Sequence, residues 1–122
     1  MKKRQTLREM YERQIAWIVE RLKQAYQPEK IILFGSVANE DFHEDSDIDM
    51  LIIKQTDKQR RERIKEVYDI VYAPNHYLAF EPLVYTPEEI VERMEMGDFF
   101  IEDILTDGQV LYDHPKELAP AS

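Results

Sequence analysis

The sequence contains no cysteine, which excludes disulfide bonds and thiolate metal ligands. It also has no apolar run near the roughly 20 residues that a membrane-spanning helix needs. The first ten residues, MKKRQTLREM, are basic, and no apolar segment follows them, so we expect neither a signal peptide nor a membrane partner. These absences predict a cytoplasmic protein.

The 122 residues are 43% hydrophobic, which suffices for one core but not for two. We therefore predict a single domain that spans residues 1–122. The net charge is −9, and it is uneven: residues 1–30 carry +4, whereas the remainder carries −13. An acidic body of this kind disfavours direct nucleic-acid binding, because phosphate backbones attract basic surfaces.

The spacing of apolar residues predicts the elements in order. An N-terminal helix is expected over about residues 6–27, with a capping box at its start, Pro28 after its end and an apolar stripe that includes Tyr11. Strands are expected at 30–34, 48–54, 77–85 and 109–112. Pro82 would need an edge position or a bulge.

Helices are expected for one turn at 36–39, after Thr56, from Thr86-Pro87 to Gly97, and over 99–105. The basic residues of the second long helix, among them Arg63, are expected to form a solvated face, and the tail from about 115 is expected to be loose. The order predicts an α/β (α+β) fold: a small mixed sheet of three to four strands with helices packed mainly on one face.

The chain is organised around residues 31–53, IILFGSVANEDFHEDSDIDMLII. Asp47 and Asp49 lie at the start of a buried strand, where side chains at positions i and i+2 point to the same side. A charge placed there needs a partner or a metal. Two interpretations stay open on these residues alone: a site for divalent cations, or a solvated acidic loop.

A third acid, Glu81, lies within the apolar strand segment YLAFEPLVY. It is either an edge-strand acid that faces water, or a third metal ligand or a base that takes a proton from an attacking hydroxyl.

The pattern G-S-x10-D-x-D, written here as Gly35-Ser36 and Asp47-Ile48-Asp49, resembles the signature of the polymerase-β-like nucleotidyltransferase superfamily, and most closely its minimal nucleotidyltransferase (MNT) branch. The resemblance extends to the phrases DSDIDM, VYTPEE and GQVLYD. In that branch a third acid typically lies six residues before the proline of the TPEE-like phrase, which here is Glu81.

The resemblance implies a polymerase-β-like fold and a two-metal mechanism. Gly35 and Ser36 would bind the triphosphate of ATP or another NTP. Asp47 and Asp49 would bind two Mg²⁺, and Glu81 would complete one metal site and help to deprotonate an acceptor hydroxyl. A nucleotidyl group would be transferred and pyrophosphate released. Many MNT proteins have arginine and glycine where this chain has Asn39 and Glu40, which removes a positive charge near the phosphates or the acceptor.

The resemblance also implies partners. MNT proteins are commonly paired with a small helical HEPN toxin and act as its antitoxin, often by adding AMP to a toxin tyrosine. Two alternatives stay open: a non-catalytic antitoxin that neutralises its partner by complex formation, and a homodimeric nucleotidyltransferase for an aminoglycoside-like small molecule.

Overall fold

The computed structural model describes residues 6–39, 41, 43–73 and 79–114. Its elements, in chain order, are α1 (Leu7–Ala25), β1 (Lys30–Phe34), α2 (Gly35–Ala38), β2 (Ile48–Ile53), α3 (Arg60–Val71), β3 (Phe80–Tyr85), α4 (Pro87–Glu95), α5 (Phe99–Asp107) and β4 (Gln109–Asp113). In the described ranges, no helix is both long and apolar enough to cross a lipid bilayer.

The four strands form one mixed sheet in the order β3-β2-β1-β4. Strand β1 is antiparallel to both β2 and β4, whereas β2 and β3 are parallel. The mixed α/β fold and the strand number agree with the prediction, and Pro82 lies on the edge strand β3 as expected.

Alternate residues of the central strands build two apolar clusters on opposite faces of the sheet. On one face, Leu22 of α1 and Val67 of α3 are fully buried with Met50. On the other, Ile101 and Ile104 of α5 pack against Ile32, Leu51 and Tyr85. The two longer helices therefore cover one face, and α5 covers the face that carries Ile32, Leu51 and Tyr85, here called the α5 face.

Several predicted boundaries shift by a few residues. Helix α1 ends at Ala25, before Gln27, which takes a left-handed φ of 54°. Strand β2 stops at Ile53. Strand β3 begins at Phe80, and Ala79 before it is outside the strand; the predicted strand positions 77 and 78 lie outside the described ranges. The tail from 115 also lies outside them.

The prediction that Arg63 belongs to a solvated face is wrong. Its side chain is buried, because its guanidinium binds the carboxylate of Glu89 at 2.6 Å and donates to the carbonyl oxygens of Lys58 and Val84. Glu89 is also the reciprocal member of the α4 capping box with Thr86. Burial opposes ionisation of Glu89, but hydrogen bonds from Arg63 and Thr86 lower its pKa overall. This ion pair therefore fixes α3 to the β3–α4 junction.

Candidate functional site

Three carboxylates meet at one end of the sheet, on the α5 face. Asp49 of β2 is in register with Glu81 of β3, and Asp47 lies just before β2. Asp49 is two residues from Leu51, and side chains two apart in a strand share a face. One carboxylate oxygen from each acid lies within 4.8 Å of the other two. The structure thus brings together the three acids that were selected from the sequence, although Glu81 is separated from Asp49 by 32 positions.

The electrostatics of this group suit a cation. Burial raises the pKa of Asp49 from 3.8 to about 6, and the negative charges of Glu81 and Asp47 act in the same direction. None of the ion pairs found among the described residues includes any of the three acids. A set of convergent carboxylate oxygens without a basic partner is the donor set that Mg²⁺ prefers. The residues present therefore fit a divalent metal.

Gly35 touches the carboxylate of Asp49 from the neighbouring strand end. Its φ of +81° is left-handed, and a Cβ atom built there would lie 3.2 Å from Cγ of Asp49 and closer still to one carboxylate oxygen. Only glycine combines this backbone conformation with this approach. The turn into α2 is consequently in direct contact with the Asp49 carboxylate. Ser36, the next residue, is exposed to solvent.

Tyr11 of α1 holds the loop that leads into Asp47. Its hydroxyl donates to the carbonyl oxygen of Ser46 at 2.6 Å and lies 3.0 Å from the carbonyl oxygen of His43. The loop is closed further by the Ser46 hydroxyl, which accepts from the His43 N–H at 2.9 Å. The sequence analysis placed Tyr11 only in an apolar stripe. Its periodicity gave no signal for this contact, because the loop lies more than 30 residues away.

Tyr68 of α3 is a second residue that sequence analysis did not select. Its hydroxyl donates to the carbonyl oxygen of Phe80 at 2.8 Å, next to Glu81. Burial raises the pKa of the Tyr68 hydroxyl, and the negative charges of Glu81 and Asp47 raise it further. A phenol therefore lies at the rim of the carboxylate group.

Asn39 and Glu40 are the two residues that differ from the MNT pattern, and the structure describes the first of them. Asn39 is exposed at the end of α2, where its N–H donates to the carbonyl oxygen of Gly35 at 3.2 Å. Glu40 lies outside the described residues. The metal-binding, catalytic and nucleotide-binding roles assigned to Gly35, Ser36 and the three acids stay predictions.

Comparison with known proteins adds a family to this geometry. A family model described as "Nucleotidyltransferase domain" matches residues 15–111, about four fifths of the chain. The match includes α2, the loop before β2, and strands β1 to β3. No curated protein sequence matches the chain significantly.

Proposed function

Because the chain belongs to the nucleotidyltransferase domain family, we propose that it transfers a nucleotidyl group, expected to be AMP, from a nucleoside triphosphate to a hydroxyl acceptor in an Mg²⁺-dependent reaction. The observation that carries this proposal is the convergence of Asp47, Asp49 and Glu81 within 4.8 Å beside the Gly35 turn. None of the ion pairs within the described ranges includes these acids, and carboxylates that bind divalent cations serve phosphate chemistry.

Each residue has a role in this reaction. Asp47 and Asp49 would hold two Mg²⁺, with Glu81 completing one of the two sites. The bound ions would supply the positive charge that lets an anionic triphosphate approach three carboxylates. Backbone N–H groups at the Gly35-Ser36 turn would bind the phosphates, since the missing Cβ allows a close approach.

The transfer is a substitution at the α-phosphorus of the nucleoside triphosphate. The acceptor oxygen forms a bond to the α-phosphorus while the bond from that phosphorus to the bridging oxygen of the β-phosphate breaks, and pyrophosphate leaves. The proton of the acceptor hydroxyl passes to the Glu81 carboxylate, which is exposed at the edge strand and so can meet an incoming group.

The acceptor we propose is a tyrosine of a small helical HEPN-type toxin encoded beside this chain, so that modification makes the chain an antitoxin. Support comes from the resemblance to MNT proteins and from the position of the site, where Glu81 faces solvent. A protein side chain can therefore approach from outside.

The test is to incubate the chain with Mg²⁺, α-labelled ATP and the co-encoded partner. We expect label on a partner tyrosine and one pyrophosphate per label. The double variant Asp47→Asn/Asp49→Asn should give neither, whereas the exposed control Asp57→Asn should behave as wild type. Absence of both label and pyrophosphate with all four NTPs would contradict the proposal.

A second candidate is neutralisation of the partner by complex formation alone. It is favoured by Asn39, which is exposed beside the Gly35 turn and supplies no positive charge for phosphates. The same double variant separates the candidates. Full protection of cells from the partner by Asp47→Asn/Asp49→Asn would establish binding as the mechanism, and loss of protection with retained complex formation would establish transfer.

A further inference from the structure

A large apolar surface is exposed on α4, α5 and the turn between them. Its members have exposed fractions between 41% and 77%, and they are Val91, Met94, Met96, Phe99 and Phe100. These five large apolar side chains fall within ten residues of the chain, and together they are here called the α4–α5 surface. Apolar segments of this kind on a folded domain mark interaction sites.

The same segment is strongly acidic. Residues 87–107 contain eight Asp or Glu residues and a single basic residue, Arg93. Arg93 is already engaged, since it lies 3.8 Å from Asp98 and over the ring of Tyr85. The remaining acids that border the surface are exposed, and they are Glu92, Glu95, Glu102, Asp103 and Asp107.

This charge restricts the occupant. Nucleic acids and anionic membranes are repelled by an acidic surface. A second copy placed symmetrically through the same surface would bring the two acidic segments together, which is unfavourable for the same reason. The complementary partner is a protein segment that has apolar side chains along one side and Lys or Arg beside them.

The α4–α5 surface continues to the carboxylate group. The ring of Phe100 meets the ring of Phe34 edge-on, with centroids 5.7 Å apart, and Phe34 is the register partner of Asp49. Phe34 and Phe100 also line a pocket of about 180 Å³, together with residues that include Gly35, Asn39 and Asp103. Gly35 lines this pocket and also lies against the Asp49 carboxylate, so a segment bound to α5 can extend one side chain through the pocket toward the site.

We propose that the α4–α5 surface binds a basic, apolar segment of the acceptor protein and so presents its hydroxyl to the carboxylates. This inference rests on the proposed function for the identity of the acceptor. It assigns substrate selection to residues outside the catalytic group. The site itself then needs to recognise only the hydroxyl and the nucleotide.

The experiment uses a synthetic amphipathic helical peptide as the probe, about 18 residues long, with Leu on one side and Lys on the other. A matched peptide has Glu in place of every Lys. Both are titrated into the isotope-labelled full chain while amide shifts are recorded by NMR. We expect saturable shifts over residues 91–107 with the Lys peptide, none with the Glu peptide, and affinity that falls at least about fivefold as salt rises from roughly 50 to 300 mM.

Variants locate the binding. Phe99→Asp should weaken binding of the Lys peptide by at least about threefold, because it removes the most exposed apolar member and its hydrated carboxylate opposes the apolar contact more than it attracts the lysines. Phe99→Ser removes the same apolar side chain without changing the charge, and it should also weaken binding of the Lys peptide about threefold or more. Tyr72→Asp is the matched control, since Tyr72 is similarly exposed but lies at the end of α3, and it should bind as wild type.

Three outcomes overturn the inference: no binding of the Lys peptide, equal binding of the Glu peptide, or equal loss in Tyr72→Asp. Mg²⁺-dependent ATP binding is measured in the same variants. If Phe99→Asp keeps ATP binding but loses labelling of the co-encoded partner, both proposals are supported. If wild type binds the Lys peptide but not ATP, the docking surface is retained and the proposed function fails.

Discussion

Replacement of Asp49 by asparagine should stabilise the protein in the absence of divalent metal. A rise of the Asp49 pKa from 3.8 to about 6 on folding corresponds to about 3 kcal/mol against the ionised form. Solvent partly screens this side chain, which is only half-buried, so we expect a gain in the free energy of unfolding of about 1–2 kcal/mol at pH 7.5. For a domain of this size, that is a rise in Tm of roughly 4–8 °C.

The gain should depend on pH with a definite sign. Because the folded-state pKa is raised, wild-type Asp49 is neutral in both states at low pH, and the two proteins should then have similar stability. As the pH rises from about 4 through about 6 the wild type loses stability relative to Asp49→Asn, and above that the difference should be constant. Urea unfolding in a chelating buffer at several pH values measures this difference, with the exposed Asp57→Asn as control.

Mg²⁺ should reverse the order of stability. Binding to the folded wild type raises its Tm by mass action, whereas Asp49→Asn lacks one of the three carboxylates and should respond weakly. Two results would refute the conclusion that the ionised Asp49 carboxylate destabilises the metal-free protein. One is destabilisation by Asp49→Asn in chelating buffer, and the other is a difference in the free energy of unfolding that does not change with pH. If Asp57→Asn gained as much free energy of unfolding as Asp49→Asn, the effect would come from the change in net charge alone.

The other predictions concern the residues that surround the site. Gly35→Ala should reduce transfer by at least about tenfold, because the new Cβ displaces the Asp49 carboxylate; wild-type turnover in this variant would refute the close packing. Tyr11→Phe should raise the Mg²⁺ concentration needed for half-maximal transfer severalfold, because the loop before Asp47 loses its hydrogen bond to α1. The same change should lower the free energy of unfolding by only about 1–2 kcal/mol. Arg63→Met should lower that free energy by about 3 kcal/mol, because the Glu89 carboxylate keeps the Thr86 N–H but loses its cationic partner, and the carbonyl oxygens of Lys58 and Val84 lose the same donor. Combining it with Glu89→Gln in a urea double-mutant cycle should cost less than the sum of the two changes.

Local chemistry made much of the fold predictable. Strand β1 was bounded correctly because Pro28 ends the helical segment on its N-terminal side and Gly35 turns the chain at its C-terminal end. The start of α4 was predicted from Thr86 and Pro87, and the structure shows the full capping box there. In each case the deciding residues lie within one or two turns of the boundary.

Contacts between distant segments could not be predicted in the same way. The burial of Arg63 depends on Glu89, 26 residues later, and composition alone made Arg63 resemble its solvated neighbours. The helical spacing of Tyr11 placed it among the apolar residues of α1, whereas its hydroxyl donates a hydrogen bond to a loop more than 30 residues away. Glu81 was conspicuous as an acid in an apolar strand and was therefore a candidate third metal ligand, but its register with Asp49 could not be predicted, because register is a property of strand pairing.

The edge strand β3 has a consequence for self-association. Ladder bonds at Ala79 and Tyr85 place the odd residues toward β2, so the backbone groups of Phe80, Pro82 and Val84 face outward. Tyr68 binds the outward carbonyl of Phe80, Arg63 binds that of Val84, and Pro82 has no N–H to donate. These two contacts and the missing N–H of Pro82 disfavour the pairing of an added strand along this edge. The strand that carries Glu81 is thereby protected from edge-to-edge aggregation, while Glu81 itself remains accessible.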